Sequence, residues 1–298
     1  MATVIQQNEV TIEPSARAGG RHASSLGAIL VEQGVLTSAA AEQVCDAQRE
    51  LGIRFGEAAL QLKLISKDDL RRALARQYDF HVLQPGLDGV SRDVIAAYAP
   101  EHPRVEELRM LRTQLLIRWY SPEAENRAIA IVSPGPAEGR SFIAANLAVS
   151  FAQLGHRTLL LDADMRSPKQ HRLFNVPETL GLSSVLTGRA DVNVAVPVPR
   201  CGGLSVLPAG SLPPNPQELL SRPAFALVLK ELQKEYDVVL IDTPPAKLYA
   251  DVQTIAYRAG VALVVARRNF TRVADAADVV KELSDTGVRV VGTVMNAF

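Results

Sequence analysis

One segment restricts the fold more than any other: "AIAIVSPGPAEGRSFIAANLAVSFAQLG", residues 128–155. It opens on an apolar β-type run from Ala128 to Ser133 and then passes through a loop carrying Pro134, Gly135, Pro136 and Gly139. It continues with helical spacing to a glycine stop at Gly155. In a strand–loop–helix unit of this kind, main-chain N–H groups of the turn and of the helix N-terminus converge on an anion. Pro134 and Pro136 lack an N–H, which leaves Gly135, Ala137, Glu138, Gly139, Arg140 and Ser141 as donors. The Ser141 hydroxyl is suited to a hard divalent ion beside a phosphate. Phe142 follows on the helix and completes the set of candidate phosphate-loop residues.

Two further apolar runs end in acids. "HRTLLLDADMRSP" reads as a buried strand, Thr158 to Leu161, whose end presents Asp162 and Asp164 on one side of the extended chain. "YDVVLIDTPP" reads as a second strand ending in Asp242. In an open parallel sheet, ligands bind outside the carboxyl ends of the strands. The three carboxylates are therefore expected near the loop, where Mg²⁺ takes oxygen ligands. The alternative is that Asp162 or Asp242 only caps the segment that follows it. Strands are expected near 128–133, 158–161, 204–207, 237–241, 261–266 and 291–295.

The first third carries a repeat. Residues 25–48, "SLGAILVEQGVLTSAAAEQVCDAQ", align without gaps to 54–77, "RFGEAALQLKLISKDDLRRALARQ", at a constant offset of 29. Each copy reads as a short helix, a turn after Gly34 or Lys63, an N-cap at Thr37 or Ser66, and a second amphipathic helix. Expected divisions are a polar lead-in (1–24), the repeat domain (25–80), a Pro/Gly-containing linker (81–103) and the loop-bearing domain (104–298). In the helical run "RVEELRMLRTQLLIRWY", Leu108, Leu111 and Leu115 form an apolar face, and Glu106, Arg109 and Arg112 form a polar stripe beside it.

Composition narrows the function. Lys+Arg and Asp+Glu both number 32, so the formal net charge is zero, which argues against a bulk electrostatic grip on nucleic acid or anionic lipid. No run reaches the ~18 apolar residues of a spanning helix, so membrane contact is expected only through a partner. Two cysteines far apart, Cys45 and Cys201, suit a reducing cytoplasm.

Asp162-Ala-Asp-Met-Arg-Ser-Pro, "PPNPQELL" (Pro213 to Leu220), "LIDTPP" and the final "GTVMN" together resemble the bacterial tyrosine kinases of exopolysaccharide assembly, deviant-Walker (MinD-like) P-loop ATPases. The resemblance covers about residue 104 to the end. The fold it implies is α/β: a mainly parallel P-loop sheet flanked by helices, preceded here by the small helical repeat domain. It assigns Arg140 and Ser141 to the Walker A motif, Asp162 and Asp164 to the second acidic motif, and Asp242 to Walker B. Ser141, Asp162 and Asp242 would then organise Mg²⁺ around ATP, Asp164 would activate a tyrosine hydroxyl, and Asn296 would read adenine. Glu106, Arg109 and Arg112 resemble the family's Glu-x-x-Arg-x-x-Arg oligomerisation motif, which implies a homo-oligomer.

The repeat resembles the N-terminal MshEN module of secretion and pilus ATPases, some of which bind cyclic di-GMP. Its pattern falls on Gly27, Gln48, Arg54, Gly56 and Gln77, with Ser25 where the first copy should carry arginine. The combination of both domains is most similar to EpsG-type chain-length-determinant kinases. The resemblance implies a cytoplasmic protein-tyrosine kinase, peripheral at the inner membrane, that regulates exopolysaccharide polymerisation and export through a membrane co-polymerase. The other reading is a catalytically impaired ATP-binding switch whose oligomer state follows nucleotide and cyclic di-GMP.

Two features depart from the kinase pattern. The usual loop is Pro-Gly-Glu-Gly-Lys-Ser; here Ala137 replaces glycine and Arg140 replaces lysine. An alanine with φ > 0 costs ~1–2 kcal/mol, and a guanidinium follows a moving phosphoryl group less readily than a compact ammonium. Arg140→Lys is therefore expected to keep ATP affinity and raise turnover. The resemblance implies a tyrosine-rich tail as the acceptor; the six tyrosines of this sequence, Tyr78, Tyr98, Tyr120, Tyr236, Tyr249 and Tyr257, are instead scattered within expected elements or at their edges.

Overall fold

Alternating burial on both faces of a parallel sheet organises the larger part of the chain. The computed structural model describes residues 25–77, 83, 89–121 and 126–297; the lead-in 1–24, Tyr78 and residues 81, 82 and 84–88 of the expected linker lie outside them. The chain divides into two units, 1–79 and 80–298.

Unit 1 contains α1 (Leu26–Glu32), α2 (Ser38–Leu51), α3 (Phe55–Gln61) and α4 (Lys67–Gln77), the helix order expected from the repeat. The start signals act as expected: the Thr37 hydroxyl accepts from the Ala40 N–H at 3.2 Å. Ser66 and Asp69 exchange bonds, Asp69 N–H to Ser66 Oγ at 3.1 Å and Ser66 N–H to Asp69 Oδ2 at 2.9 Å. Both copies turn through left-handed residues at equivalent places, Gly34 (φ 69) and Lys63 (φ 56). The first helix of each copy packs on the second helix of the other, α1 on α4 and α2 on α3. The glycines explain how closely the halves meet. A Cβ at Gly27 would lie 3.0 Å from the Phe55 ring, and one at Gly56 would lie 2.7 Å from Leu70 and 3.6 Å from Leu26. Leu26 and Phe55 are equivalent positions, so each copy covers the other's glycine.

Unit 2 begins with α5 (Ile95–Tyr98) and α6 (Pro103–Arg118), followed by β1 (Ala128–Val132), α7 (Arg140–Gln153), β2 (Thr158–Asp162), α8 (Gln170–Leu173) and α9 (Leu182–Leu186). Then come β3 (Val196–Pro197), β4 (Leu204–Leu207), α10 (Pro216–Ser221), α11 (Pro223–Glu235), β5 (Val238–Asp242), α12 (Asp251–Ala259), β6 (Val261–Arg267), α13 (Val273–Asp285) and β7 (Arg289–Asn296). The sheet order is β3-β4-β2-β5-β1-β6-β7. It is parallel except for β3, a two-residue antiparallel edge that the sequence pattern does not announce. Helices cover both faces. Ile129, Ile131, Leu160, Val238 and Leu240 pack with α5, α6 and α7; Ala128, Ala130, Val132, Leu159, Leu161, Val239 and Ile241 pack with α9–α13. Burial on both faces is why these strands read as unbroken apolar runs.

The expected linker is corrected. Leu83, Val90, Val94, Ala96 and Ala97 are buried in the core that contains α7. The fully buried Asn146 of α7 ties this segment down: its Oδ1 accepts from the Ala96 N–H at 2.9 Å, and its Nδ2 donates to the Asp93 carbonyl at 3.0 Å. The prolines and glycines of this stretch do not stop Leu83, Val90, Val94, Ala96 and Ala97 from being buried.

Candidate active site at the carboxyl rim of the sheet

Strand order brings the acids together. β5 lies between β2 and β1, and the register pairs Asp162 with Asp242 and Ile131 with Asp242. The alternation that turns Leu160 and Leu240 toward α7 turns Asp162 and Asp242 the same way, under the helix that starts at the loop. Both aspartates are fully buried. Asp162 does cap the following segment: its Oδ2 accepts from the N–H groups of Lys169 (3.0 Å) and Gln170 (2.9 Å), and its Oδ1 from that of Asp164 (3.2 Å). Burial, and next the charge of Asp242, push the Asp162 carboxyl well above the usual carboxylate range. Burial also raises Asp242, opposed by the Arg140 charge and by the hydrogen bond from Gln170.

Asp242 Oδ2 accepts from Gln170 Nε2 at 2.7 Å, whereas its Oδ1 is buried with no partner among the described residues. A buried carboxylate oxygen without a partner, beside a hydroxyl and two more carboxylates, fits a divalent cation. Among the described residues no group of three or more His, Cys, Asp or Glu side chains forms a metal cage. Mg²⁺ is the ion that needs none, since it retains waters and phosphate oxygens. Ser141, Asp162 and Asp242 are the residues that would hold it.

Arg140 is 8% exposed and fastened beneath the loop. Its Nε donates to the Thr243 carbonyl at 2.7 Å, and its Nη1 to Ser133 Oγ at 2.6 Å and the Gly135 carbonyl at 2.9 Å. Nη2 lies 3.8 Å from Asp164 Oδ2. Asp164 Oδ1 accepts from the N–H groups of Arg166 (3.2 Å) and Ser167 (2.9 Å), which leaves its other oxygen toward Arg140. Ala137 has φ 57, the left-handed conformation that makes its Cβ a cost, and Gly139 takes φ 97 at the start of α7.

The loop also satisfies itself. The Gly135 N–H, expected as a phosphate donor, donates instead to Glu138 Oε2 at 2.7 Å. Thr271 Oγ1 donates to Glu138 Oε1 at 2.6 Å, and Arg267 Nη1 to the Ala137 carbonyl at 3.2 Å. Asn296, expected to face adenine, donates to the Glu138 carbonyl at 3.2 Å. Gln170, Thr271 and Arg267 are site residues that the motifs did not point to; being polar at strand or helix ends was their only signal. A cleft of about 270 Å³ opens over Ala137, Gly139, Arg140, Ser141 and Phe142, with Asp93, Lys169 and Arg267 at its edges.

The remaining candidates lie elsewhere. Glu106 and Arg109 pair at 2.9 Å on α6. Arg112 turns inward rather than joining a solvent stripe, and its Nη1 donates to the Ser150 carbonyl of α7 at 2.8 Å. In unit 1, Gly27 and Gln48 line a groove of about 670 Å³ with Ser25, Cys45 and Phe55. Arg54 caps α3 through its main chain, its N–H donating to Glu57 at 3.1 Å. Gly56 is covered by Leu70, and Gln77 ends α4.

An anion-directed loop between β1 and α7, facing paired strand-end aspartates, defines a P-loop NTPase. The ParA family model, described as NUBPL iron-transfer P-loop NTPase, matches residues 125–298. The tyrosine-protein kinase YwqD of Bacillus subtilis is 37% identical over 207 residues, which span 70% of this chain and 86% of that protein. The putative tyrosine-protein kinase EpsB of Ralstonia solanacearum is 36% identical over 205 residues, 69% of this chain but only 27% of EpsB. The kinase domain of the Escherichia coli tyrosine kinase ETK superposes with a TM-score of 0.67 at 30% identity, covering 72% of this chain and 82% of that domain. The chain belongs to the bacterial tyrosine-kinase family of P-loop NTPases.

Proposed function

We propose that the chain binds Mg·ATP at this rim and transfers the γ-phosphoryl group to tyrosine, as part of the control of exopolysaccharide chain length and export with a membrane co-polymerase. The observation that carries the reading is the Asp162–Asp242 pair, with one Asp242 oxygen buried and unpartnered beside the phosphate loop. The names of the relatives support the reaction class. Bound Mg²⁺ would neutralise charge on the β- and γ-phosphates. Main-chain N–H groups of Gly139, Arg140 and Ser141 orient the phosphates. Arg140 Nη2, the guanidinium nitrogen closest to Asp164, supplies fixed positive charge at the reacting end. Asp164 accepts the tyrosine proton through Oδ2, since Oδ1 is occupied by two N–H groups.

One observation favours the second reading, a nucleotide-gated switch with little transfer. Three loop and strand-end oxygens hold Arg140 in place, so it is poorly able to follow the phosphoryl group. The test is purified full-length chain with γ-labelled ATP and Mg²⁺, alone and with a tyrosine copolymer, assayed for free phosphate and phosphotyrosine. Phosphotyrosine supports the kinase. Calorimetric binding of Mg·ATP without phosphotyrosine supports the switch, and no binding refutes both.

A further inference from the structure

Among the described residues, two buried side-chain oxygens accept no hydrogen bond: Asp242 Oδ1 and Gln170 Oε1. They belong to side chains that are bonded to each other, since Gln170 Nε2 donates to Asp242 Oδ2 at 2.7 Å. The second hydrogen of the same nitrogen goes to the Ser141 carbonyl at 3.2 Å. With both hydrogens engaged on acceptors, the amide cannot be turned over without setting its oxygen against them. That oxygen lies ~2.3 Å across the amide from Nε2, hence within ~5 Å of Asp242 Oδ2.

Gln170 meets all three residues that would hold the ion. Besides the two bonds of its side chain, its main-chain N–H donates to Asp162 Oδ2 at 2.9 Å. It is fully buried at the start of α8. The oxygens of the two strand-end aspartates are thereby sorted. Asp162 Oδ1 accepts from the Asp164 N–H, Asp162 Oδ2 from those of Lys169 and Gln170, and Asp242 Oδ2 from the Gln170 amide. Asp242 Oδ1 alone of the four accepts from no described residue. A cation that chelates a carboxylate through both oxygens, as Ca²⁺ commonly does, would have to displace Gln170 from Asp242. Mg²⁺ takes single oxygens and retains several waters. A retained water has hydrogens to give, and Gln170 Oε1 is a buried acceptor beside that carboxylate.

We propose that Gln170 is a positioning residue of the cation site. It leaves Asp242 one oxygen to face the ion and its waters, and its own amide oxygen accepts from one of those waters, which together favour Mg²⁺ over Ca²⁺. This rests on the Mg-nucleotide binding of the reading above. Gln170 takes no part in bond making; it fixes how Asp242 is presented.

The experiment titrates the full chain with ADP by calorimetry in EDTA, in Mg²⁺ and in Ca²⁺. The parent should bind ADP more tightly with Mg²⁺ than with Ca²⁺ or without metal. Gln170→Met keeps the length of the side chain but has neither the donors nor the amide oxygen. It should bind metal-free ADP as the parent does, because the main-chain donors of the loop are unchanged. Its Mg²⁺-dependent gain in affinity should fall ~10–100-fold, the scale for losing a partner behind metal ligands, while the Ca²⁺-dependent gain should not fall. A loss of metal-free ADP affinity as large as the loss with Mg²⁺ would mark a purely structural residue and overturn the assignment. An unchanged Mg²⁺ gain, or an unchanged ratio of Mg²⁺ to Ca²⁺ gain, also overturns it. A crystal structure of the parent with Mg·ADP tests the same point without a variant. A water between the ion and Gln170 Oε1 is expected there; chelation by both Asp242 oxygens, or an Oε1 without that water, overturns the role. A parent whose ADP affinity ignores Mg²⁺ removes both this role and the Mg-nucleotide reading.

Discussion

Replacing Arg140 with lysine separates the structural work of the guanidinium from its chemical work. The arginine Nε corresponds to a methylene in lysine, so the variant cannot donate to the Thr243 carbonyl, now bonded at 2.7 Å. The lysine ammonium lies near the guanidinium carbon and can retain either Ser133 Oγ or the Gly135 carbonyl, which Nη1 now holds at 2.6 and 2.9 Å. At least one charge-assisted bond to a buried acceptor is lost, at ~1.5–3 kcal/mol. A loss of ~2 kcal/mol in a unit of this size lowers Tm by ~4–8 °C. Differential scanning calorimetry of the nucleotide-free protein checks the shift. Titration calorimetry should find Mg·ATP affinity retained, because the main-chain donors are unchanged, and phosphate release should rise as the cation gains freedom. A Tm equal to or above that of the parent would refute the claim that Arg140 holds the loop together, and unchanged or slower turnover would refute the account of its mobility.

Further outcomes follow from other parts of the site. Ala137→Gly removes a Cβ from a residue at φ 57, so relief of ~1–2 kcal/mol less ~0.4–1 kcal/mol of unfolded-chain entropy should leave a small net gain in denaturant melts. Asp162 and Asp242 have carboxyls raised by burial, so the folded protein holds more protons than the unfolded chain from the usual carboxylate range up through the raised values. Their contribution to stability is therefore present at low pH and lost as pH rises through that window. Thermal melts across pH should show this slope, Asp242→Asn should flatten it, and Mg·ADP should stabilise most at the alkaline end. In unit 1, Gly56→Ala places a methyl 2.7 Å from Leu70 and should cost ~1–3 kcal/mol by urea denaturation.

What the sequence revealed was local or periodic. The loop and both aspartate-terminated strands were legible because motif, strand and helix are contiguous in the chain. The repeat was legible because a fixed offset carries its turns and caps along with it. Contacts that depend on folding were not. Val90, Val94, Ala96 and Ala97 lie among prolines and glycines, so their burial against α7 has no periodic trace. Arg112 keeps helical spacing with Glu106 and Arg109, yet the proximity of the Ser150 carbonyl turns it inward. The Gly135 N–H reads as a phosphate donor in the sequence, which does not tell that Glu138 folds back onto it. Gln170 stands eight residues after Asp162 and reaches Asp242 only because β2 and β5 are neighbours.

The crossed pairing inside unit 1 limits how that unit can be cut. Leu26 and Phe55 each shield a glycine in the opposite half, and neither helix pair packs mainly on itself. A fragment ending near residue 52 would keep one copy of the repeat and leave its seam open to solvent or to a second fragment. Truncation within 25–77 should therefore yield a self-associating or unfolded piece rather than a stable half of the repeat.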